Sequence, residues 1–272
     1  MSMLLRRELP VEWARWNAAH ASPHGPRWWL SLLRRRWARR VWPNRAALPG
    51  AMVRQLGPFA FQRNSDTRTA EYPWTYFTIA PRPGSVVIDV GGGLSGMQFV
   101  LARAGCQVTT VDPVLDADPT DSWWFGDADH AALSRKLRAP VRFVRALLQD
   151  AGIAEFSADV VTATSVIEHI PAEPAADLMR AIARVLKPGG RLVATVDLFL
   201  DVRPFAPAER NRWGTNIDLA RLIAGSGLRL EFGDTAELHG FAGFNPAAIL
   251  ARRAEFYEFD GVLSQALVLR KP

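Results

Sequence analysis

The sequence is poor in cysteine and has no long apolar run. Cys106 is the one cysteine among the 272 residues, so the chain cannot form an internal disulfide. The first residues, MSMLLRRELPVEW, lack the apolar segment of a signal peptide, and no later run approaches the ~20 apolar residues of a membrane span. These absences argue against a secreted, disulfide-rich protein and against a membrane protein. We therefore expect a cytoplasmic globular protein that buries a sizeable core.

Lysine is also scarce, with three lysines among the 33 Lys and Arg residues. The arginines are concentrated near the N-terminus: residues 1–65 hold 12 of them against two acidic residues, a net charge of +10. Residues 66–272 carry a net charge of −4. A basic balance of this kind is by itself a weak indication of nucleic-acid binding.

The composition changes near residue 83. Seven of the ten tryptophans lie before it, whereas from Gly84 onward short β-rich runs alternate with helical stretches. That alternation predicts βαβ units and a mainly parallel sheet. We expect a Trp- and Arg-rich helical extension or cap over residues 1–83 and an α/β domain over residues 84–272.

The second half of the α/β domain predicts three further features. The stretch AADLMRAIARVLKPGG is typical of a helix with Lys187 in its last turn, ended by Pro188 and two glycines. The runs LRLEFG and SQALVLRK are strand-like, and we expect the second to be an antiparallel edge strand. Between them, residues 246–255 predict a helix.

The stretch VVIDVGGGLSG at residues 86–96 places three consecutive glycines after a β-branched run that contains Asp89. Glycines there let the backbone approach a ligand closely, and the following helix points its free N–H groups at that ligand. Asp112 ends the next strand-like run, where an acidic side chain is placed to bind ribose hydroxyls. Together these features predict a nucleoside cofactor, whereas the glycines alone are also compatible with a tight turn that binds nothing.

These residues resemble the first motifs of the class I S-adenosylmethionine-dependent methyltransferases. The family's acidic residue and Gly-x-Gly-x-Gly pattern match Asp89, Gly91 and Gly93, with Ser95 in place of the third glycine. FSADVVTATSVIEHIP is similar to the family's fourth strand and following loop, and ARVLKPGGRLVATV to the next helix, turn and fifth strand. The resemblance implies a Rossmann-like α/β fold with a seven-stranded, mostly parallel sheet flanked by helices. It also implies S-adenosyl-L-methionine as cofactor and methyl transfer as the activity.

The resemblance further implies which residues hold the cofactor: Asp89, Gly91, Gly92, Gly93, Ser95, Asp112 and Ser165. Asp89 would organise the loop near the methionine amino group, the glycines would admit methionine and ribose, and Asp112 would hold the ribose hydroxyls. The Ser95 hydroxyl either bonds the cofactor's carboxylate or caps the following helix, and we favour the cap. The candidates for contact with adenine are Asp150, Leu147 and Leu148.

The loop VIEHIP holds the candidate catalytic residues. Positioning supplies much of the rate of an in-line methyl displacement, and an oxygen or nitrogen nucleophile also needs a base. His169 is the candidate base, with a structural loop residue as the alternative, and Glu168 is either a second catalytic candidate or a capping acid. Some metal-dependent relatives carry Glu-x-x-Glu-His here, but Ser165 replaces the first Glu. We therefore expect no metal site unless the fold brings His239 near.

The stretch RNSDTRTAEYPWTYF lies just before the first strand. Its aromatic residues Tyr72, Trp74 and Tyr76 either close over cofactor or substrate or pack as core. Arg63 or Arg68 would meet a carboxylate or phosphate.

Residues 26–42 have the pattern of a basic amphipathic helix. Its apolar arc comprises Trp29, Leu30, Leu33, Trp37 and Val41. We expect this arc to dock on the catalytic domain with the arginines in solvent; peripheral contact with an anionic membrane and binding of nucleic acid are the alternatives.

The loop after the fifth strand, DLFLDVRPFAPAERNRWGTN, is long and rich in polar and aromatic residues. Loops at the carboxyl ends of strands build ligand sites in open α/β sheets, so Asp197, Asp201, Trp213 and Asn216 are acceptor-site candidates, with surface packing as the alternative. We expect a small-molecule acceptor, such as a sugar or secondary metabolite, that is methylated on oxygen or nitrogen. The alternatives are an RNA methyltransferase that uses the basic extension and a non-catalytic protein that only binds the cofactor.

Overall fold

The computed structural model describes residues 4–23, 30, 33, 37, 45–114 and 125–272. The chain divides into two compact units. We call Pro10–Leu147 the N-terminal unit, and Leu148–Pro272 together with the first nine residues the C-terminal unit. This division follows the packing of the chain and differs from the predicted boundary between residues 83 and 84, which stays a prediction.

The N-terminal unit pairs three strands in parallel, with β2 between β1 and β3. The strands are rich in valine, and branched side chains of this kind suit a pleated surface. The strands are β1 (Val86–Val90), β2 (Gln107–Val111) and β3 (Val141–Val144). The helices that the structure describes in this unit are α1 (Val11–His20), α2 (Gly50–Leu56), α3 (Arg68–Ile79), α4 (Met97–Arg103) and α5 (Asp127–Leu137).

The C-terminal unit combines one parallel strand pair with antiparallel strands. Its strands are β4 (Ala158–Thr164), β5 (Leu186–Phe199), β6 (Arg229–Phe232), β7 (Glu258–Phe259) and β8 (Val262–Arg270). Its helices are α6 (Ala172–Val185), α7 (Leu219–Ala224) and α8 (Pro246–Ala251). β4 and β5 are parallel, whereas β8 is antiparallel to β5, β6 and β7. The predicted fold class, a Rossmann-like and mostly parallel sheet flanked by helices, is confirmed.

The last strand differs from its prediction in position. β8 is antiparallel, as expected, but it lies between β5 and β6 and is therefore not an edge strand. Seven of its nine residues are buried, and neighbouring strands pair with it on both sides. The predicted helix over residues 246–255 is confirmed for α8, and a 3₁₀ turn at Arg253–Glu255 follows it.

Helix α6 ends earlier than its C-terminal signals predict. Its last residue is Val185, and Lys187 lies in β5, where its ammonium group pairs with Asp159 at 2.6 Å. The prediction that Lys187 lies in the last helical turn is therefore wrong. Pro188 accounts for the difference, because a residue that precedes proline is disfavoured in helical geometry. Gly189, at φ 75°, supplies the turn that was predicted there.

The beginning of the chain belongs to the C-terminal unit. The Leu5 amide donates to the Ser264 carbonyl at 3.0 Å, and its carbonyl accepts from the Tyr257 amide at 2.8 Å. Arg6 pairs with the buried carboxylate of Glu237 at 2.7 Å. These residues therefore pack against the last strand and its preceding loop, which a composition boundary cannot reveal.

The basic amphipathic segment at residues 26–42 is described at three positions only. Leu30, Leu33 and Trp37 are helical and expose 55%, 64% and 58% of their surface, so these three members of the apolar arc do not pack in a core. Trp29 and Val41, together with the arginines of this segment, lie outside the described residues. In the described ranges, none of the helices combines the length and the apolar character that crossing a membrane requires.

Candidate functional site

The loop after β1 makes three turns that favour glycine. Gly91, Gly93 and Gly96 have φ angles of 64°, 51° and 107°, in the left-handed region where a side chain strains the backbone. Gly92 is required for space instead, since a Cβ atom there would lie 1.8 Å from Asp89 Oδ2. The glycine loop, residues 91–96, is thus shaped around the Asp89 carboxylate.

Asp112 ties the end of β2 to the glycine loop. Its Oδ2 accepts a hydrogen bond from the Gly93 amide at 2.9 Å, and its Oδ1 accepts one from the Val114 amide at 2.8 Å. Burial raises the pKa of Asp112, while these two hydrogen bonds and the charge of Arg145 act in the opposite direction. The structure therefore brings the two predicted acidic residues, Asp89 and Asp112, to the same loop.

Of these two acids, Asp89 has the more strongly shifted pKa. Burial raises its pKa to about 7, the neighbouring Asp112 charge adds to the rise, and a hydrogen bond from Thr110 opposes it. The Thr110 hydroxyl donates to Asp89 Oδ2 at 3.4 Å, a long hydrogen bond. A buried carboxylate with so little compensation from the protein suits a ligand that carries positive charge.

Ser95 does not cap the following helix. α4 begins at Met97 with Gly96 as its N-cap residue, and that cap has no side-chain hydrogen bond. The Ser95 hydroxyl lies 3.2 Å from Gln98 Oε1, to which it donates. The predicted capping role is therefore wrong, because the left-handed Gly96 places the start of the helix beyond the reach of Ser95.

Two glutamines that the sequence reasoning missed hold the glycine loop. Gln98 Nε2 donates to the Gly93 carbonyl at 2.8 Å, while Gln98 Oε1 accepts from the Gly96 amide at 3.0 Å. Gln62 Oε1 accepts from the Leu94 amide at 2.5 Å. Gln98 was detectable as one polar residue in an apolar helical run, whereas Gln62 gives no local signal, since it lies 32 residues from Leu94.

The aromatic residues of α3 pack as core. Tyr72 is buried, stacks on Phe59 at 5.0 Å and donates its hydroxyl to Asn64 Oδ1 at 2.5 Å. Trp74 is also buried, and the Tyr76 ring packs against Trp16 at 5.3 Å. Of the core and cofactor alternatives for these rings, the core alternative accounts for the contacts they make.

The two arginines singled out in this stretch differ in environment. Arg63 is exposed, whereas Arg68 is buried in an ion pair with Glu71.

The loop after β4 lies in the C-terminal unit and is built around Glu168. The carboxylate of this buried residue accepts hydrogen bonds at Oε1 from the Ser165 hydroxyl at 2.6 Å and the Asp197 amide at 3.1 Å. Ser165 adopts a φ of 52°, and its amide donates to the Thr195 carbonyl at 2.9 Å. Ser165 and Glu168 therefore fasten the loop to β5.

His169 is exposed, and its ring is held by the loop after β5. Its Nδ1 is hydrogen-bonded to the Trp213 carbonyl. The adjacent backbone is clamped as well: the Thr215 amide donates to the Glu168 carbonyl at 3.2 Å, and a Cβ atom at Gly214 would lie 2.2 Å from that carbonyl oxygen. The loops after β4 and β5 thus pack closely together at the His169 ring.

The acceptor-site candidates of the β5 loop fall into two groups. Asn216 is structural, because its Nδ2 donates to the Phe199 carbonyl at 2.8 Å and its Oδ1 accepts from the Phe199 amide at 2.7 Å. Asp201 accepts from Asn211 at 3.0 Å, and Asp197 is buried. Trp213, by contrast, is 40% exposed.

The exposed ring of Trp213 carries a neighbouring cation. The Arg212 guanidinium lies 4.4 Å above it.

Three remaining candidates are placed as follows. His239 is half-buried, and its Nδ1 is hydrogen-bonded to the Ile217 carbonyl at 2.8 Å. Leu148 is buried and Asp150 is exposed in one 3₁₀ turn of the C-terminal unit, while Leu147 ends the N-terminal unit. The adenine contact stays a prediction. Within the described ranges, no three His, Cys, Asp or Glu side chains form a group suited to a metal ion.

The residues of the N-terminal unit fit the implied cofactor. A Cβ atom at Gly92 or Gly93 would clash with Asp89 or Gln62, so the glycine loop packs closely on these side chains, and Asp89 offers an under-compensated carboxylate for a cationic group. Asp112 follows the second strand, where ribose hydroxyls are bound in nucleoside-binding α/β folds. The structure thus groups the predicted cofactor residues of the first two motifs in the N-terminal unit, and Ser165, Glu168 and His169 in the C-terminal unit.

Comparisons with known proteins find methyltransferases. A family model described as a methyltransferase domain matches residues 88–194. An uncharacterized methyltransferase of Mycobacterium bovis is 27% identical over 217 residues, which is 71% of this chain and 80% of the relative. The ubiquinone/menaquinone biosynthesis C-methyltransferase of Azotobacter vinelandii is 32% identical over 123 residues, 44% of this chain and 46% of the relative.

Among solved structures, the crystal structure of the cyclase SpnF is similar in fold. The two chains are 20% identical with a TM-score of 0.51, over 79% of this chain and 89% of the other. The matching methyltransferase domain model, the methyltransferase relatives and the Rossmann-like fold together support a class I S-adenosylmethionine-dependent methyltransferase.

Proposed function

We propose that this enzyme methylates an oxygen or nitrogen of a small-molecule acceptor and that His169 is its base. The observation that carries the proposal is the hydrogen bond between His169 Nδ1 and the Trp213 carbonyl. A carbonyl oxygen only accepts, so Nδ1 carries the proton in the neutral ring and Nε2 presents a lone pair. Because His169 is exposed, that lone pair is accessible to an acceptor molecule.

S-adenosylmethionine, when bound, supplies an electrophilic methyl group on a sulfonium. Held by the glycine loop and Asp112, the cofactor would supply this methyl group to the acceptor oxygen or nitrogen as its carbon–sulfur bond breaks, and S-adenosylhomocysteine would remain as the second product. His169 Nε2 takes the proton that the acceptor atom loses. General base catalysis of this kind contributes typically ~10²- to 10⁴-fold.

We assign the cofactor to the residues of the glycine loop. Asp89 and Gly91–Gly93 would hold the methionine end and Asp112 the ribose hydroxyls, consistent with the under-compensated Asp89 carboxylate and with the position of Asp112 after β2. Ser95 and Ser165 we assign to positioning, because their hydroxyls donate to Gln98 and Glu168. Glu168 likewise positions the loop that carries His169, since its own carboxylate binds protein groups.

The β5 loop supports a flat or ring-shaped acceptor. The Trp213 ring is exposed, and its backbone is held at the amide by Asn211 Oδ1 at 2.8 Å and at the carbonyl by His169. A fixed indole offers a stacking surface, and a sugar or a planar secondary metabolite presents a matching face. Arg212, above the same ring, adds positive charge next to it.

A metabolite-extract assay tests the proposal. Purified enzyme is incubated with methyl-labelled S-adenosylmethionine and fractions of cell extract, and labelled products are identified by mass spectrometry. We expect label in a small molecule, and a kcat/KM for that acceptor that falls ~100-fold in His169→Gln. The matched control is His239→Gln, because His239 is also tied through Nδ1 to a backbone carbonyl but lies in another loop.

The outcomes separate the alternatives. Label found only in RNA would favour the RNA methyltransferase, and cofactor binding without any labelled product would favour a non-catalytic binding protein. Full activity of His169→Gln on the identified acceptor would remove His169 from the mechanism.

A further inference from the structure

Helix α3 buries a complete ion pair beside the glycine loop. Arg68 is 8% exposed and Glu71 is 0% exposed, and the guanidinium Nη1 donates to Glu71 Oε2. Nη1 also lies 3.4 Å from the Thr67 hydroxyl oxygen. Two buried charges are costly unless their geometry and further hydrogen bonds compensate for the lost hydration, so this pair needs an explanation.

The pair leaves one buried acceptor unused. Glu71 Oε1 has no hydrogen-bond partner in the part of the chain that the structure describes. Thr75 lies one turn later on the same face of α3. Its buried hydroxyl also has no hydrogen-bond partner among the described residues. Buried acceptors without partners are rare in native proteins, and a charged one indicates that a ligand or water completes the site.

Tyr72, the residue next to Glu71, lies close to the ion pair. Burial raises the pKa of Tyr72 to about 12, and the charges of Arg68, Glu71 and Asp89 all act on the same phenol. The Arg68 guanidinium lies 5.9 Å from the centre of the Tyr72 ring. Arg68 therefore lies beside a tyrosine that stacks on Phe59 at 5.0 Å and whose pKa also responds to the Asp89 carboxylate.

The segment before α3 contacts that loop directly. Gln62 accepts from the Leu94 amide, and a Cβ atom at Gly96 would lie 2.5 Å from Phe59 Cδ1. The segment before α3 therefore packs directly on the glycine loop, and the stacking of Phe59 on Tyr72 connects it to the part of α3 that carries the ion pair.

We propose that Arg68 and Glu71 bind the zwitterionic amino-acid end of the cofactor. Glu71 Oε1 accepts from the α-ammonium group, and the Arg68 fork donates to the α-carboxylate. The pair carries both charges and is neutral overall, as is the group it would bind. The proposal rests on the cofactor assignment made above and extends it to residues outside the four motifs.

The proposal makes the site selective for ligands with an intact amino-acid end. S-adenosylhomocysteine has that end, and 5′-methylthioadenosine has the same nucleoside but lacks it. We expect wild-type protein to bind the first compound much more tightly than the second, as measured by isothermal titration calorimetry.

The test compares these two ligands in variants. Glu71→Gln keeps the shape of the side chain and removes its charge, and we expect it to bind S-adenosylhomocysteine at least ~30-fold more weakly, with 5′-methylthioadenosine unchanged within about twofold. Arg68→Lys keeps the charge and loses the fork, and we expect ~10-fold weaker binding of S-adenosylhomocysteine only. Arg63→Gln is the matched control, because Arg63 is an exposed arginine of the same segment.

The two ligands also separate the possible failures. Two outcomes would overturn the proposal and leave the cofactor site intact. In the first, both variants lose equal affinity for the two ligands. In the second, Glu71→Gln binds S-adenosylhomocysteine with wild-type affinity. Should Glu71→Gln fail to fold, Arg68→Lys decides alone. Failure of wild-type protein to bind either compound would overturn the cofactor assignment itself.

Discussion

Asp89 near the end of β1 and Glu168 in the loop after β4 are both buried carboxylates, and the two are held very differently. Asp89 accepts one long hydrogen bond, 3.4 Å from Thr110, and faces a second acid. Glu168 Oε1 accepts two shorter ones, at 2.6 Å from Ser165 and 3.1 Å from the Asp197 amide. A carboxylate that the protein leaves under-compensated is available to a ligand, whereas one that binds protein donors organises the chain.

The largest expected effect is a loss of cofactor affinity when Asp89 is changed. Asp89→Asn should weaken S-adenosylmethionine binding ~100-fold, about 2.7 kcal/mol, because the negative charge that faces the cationic ligand is lost. The thermal stability of the unliganded variant at pH 8 should not fall, since a costly buried charge is removed with it. Calorimetric titration and thermal denaturation measure the two quantities.

The control for this change is Asp177→Asn, which alters an exposed carboxylate paired with Arg180. A lower melting temperature of Asp89→Asn with unchanged cofactor affinity would reverse the roles assigned to the two carboxylates.

The next effect concerns Glu168. Glu168→Ala removes the acceptor for Ser165 and the Asp197 amide, and we expect the free energy of unfolding to fall by about 2 kcal/mol. Urea denaturation measures it, with Glu173→Ala as the control, because Glu173 is exposed in the first turn of α6. If Glu168→Ala kept its stability and lost cofactor affinity, Glu168 would be a ligand-binding carboxylate like Asp89 and not a structural one.

The pH dependence of binding sharpens the comparison further. The pKa of Asp89 is raised from 3.8 to about 7 in the folded protein, so the carboxyl is largely protonated at pH 6. A cationic ligand favours the ionised form, so affinity should rise up to ~10-fold per pH unit below pH 7 and level off above it. Titrations in two buffers of different ionisation enthalpy should show release of a proton, and Asp89→Asn should abolish both effects.

The smallest expected effect is a change in the pH dependence of stability. His130 is buried between Phe99 and Phe143, burial lowers its pKa from 6.5 to about 4, and neither ring nitrogen has a partner within the described residues. The folded state therefore requires neutral His130. Its contribution to stability is fully present above pH 6.5 and is lost as the pH falls towards 4.

Asp89 acts in the opposite direction, because its folded pKa is raised. Its contribution is fully present below pH 3.8 and is lost as the pH rises to about 7. Between pH 4.5 and 6 the two contributions oppose each other. His130→Phe should make the slope of stability against pH more negative by about 1 kcal/mol per pH unit, measured by urea denaturation at both pH values. An unchanged slope would show that His130 is not held neutral.

Local patterns predicted the elements that carry the motifs. The β-branched run that contains Asp89 became β1, Gly91 and Gly93 took the left-handed angles that only glycine adopts easily, and VIEHIP became the turn after β4. These predictions succeeded because neighbouring residues decide strand, turn and helix preferences. The helix end at Lys187 failed where two local signals conflicted, since Pro188 outweighed the cation.

Contacts between distant residues were not predictable in this way. Gln62 reaches Leu94, and His169 meets the carbonyl of Trp213, 44 residues later. The Ser95 cap failed for a related reason: the Gly96 conformation, which packs against Phe59, decides where α4 begins.

The sequence by itself determined the chemistry that is available: an acid and glycines after one strand, an acid after the next, and a histidine after the fourth. Only the tertiary structure decided how each group is used. The pKa of Asp89, the tautomer of His169 and the state of the Glu71 oxygen, which has no partner among the described residues, depend on burial and on hydrogen bonds from residues far along the chain. Residue type defines a functional group, and the surrounding packing sets its charge, its orientation and whether a ligand must complete its hydrogen bonds.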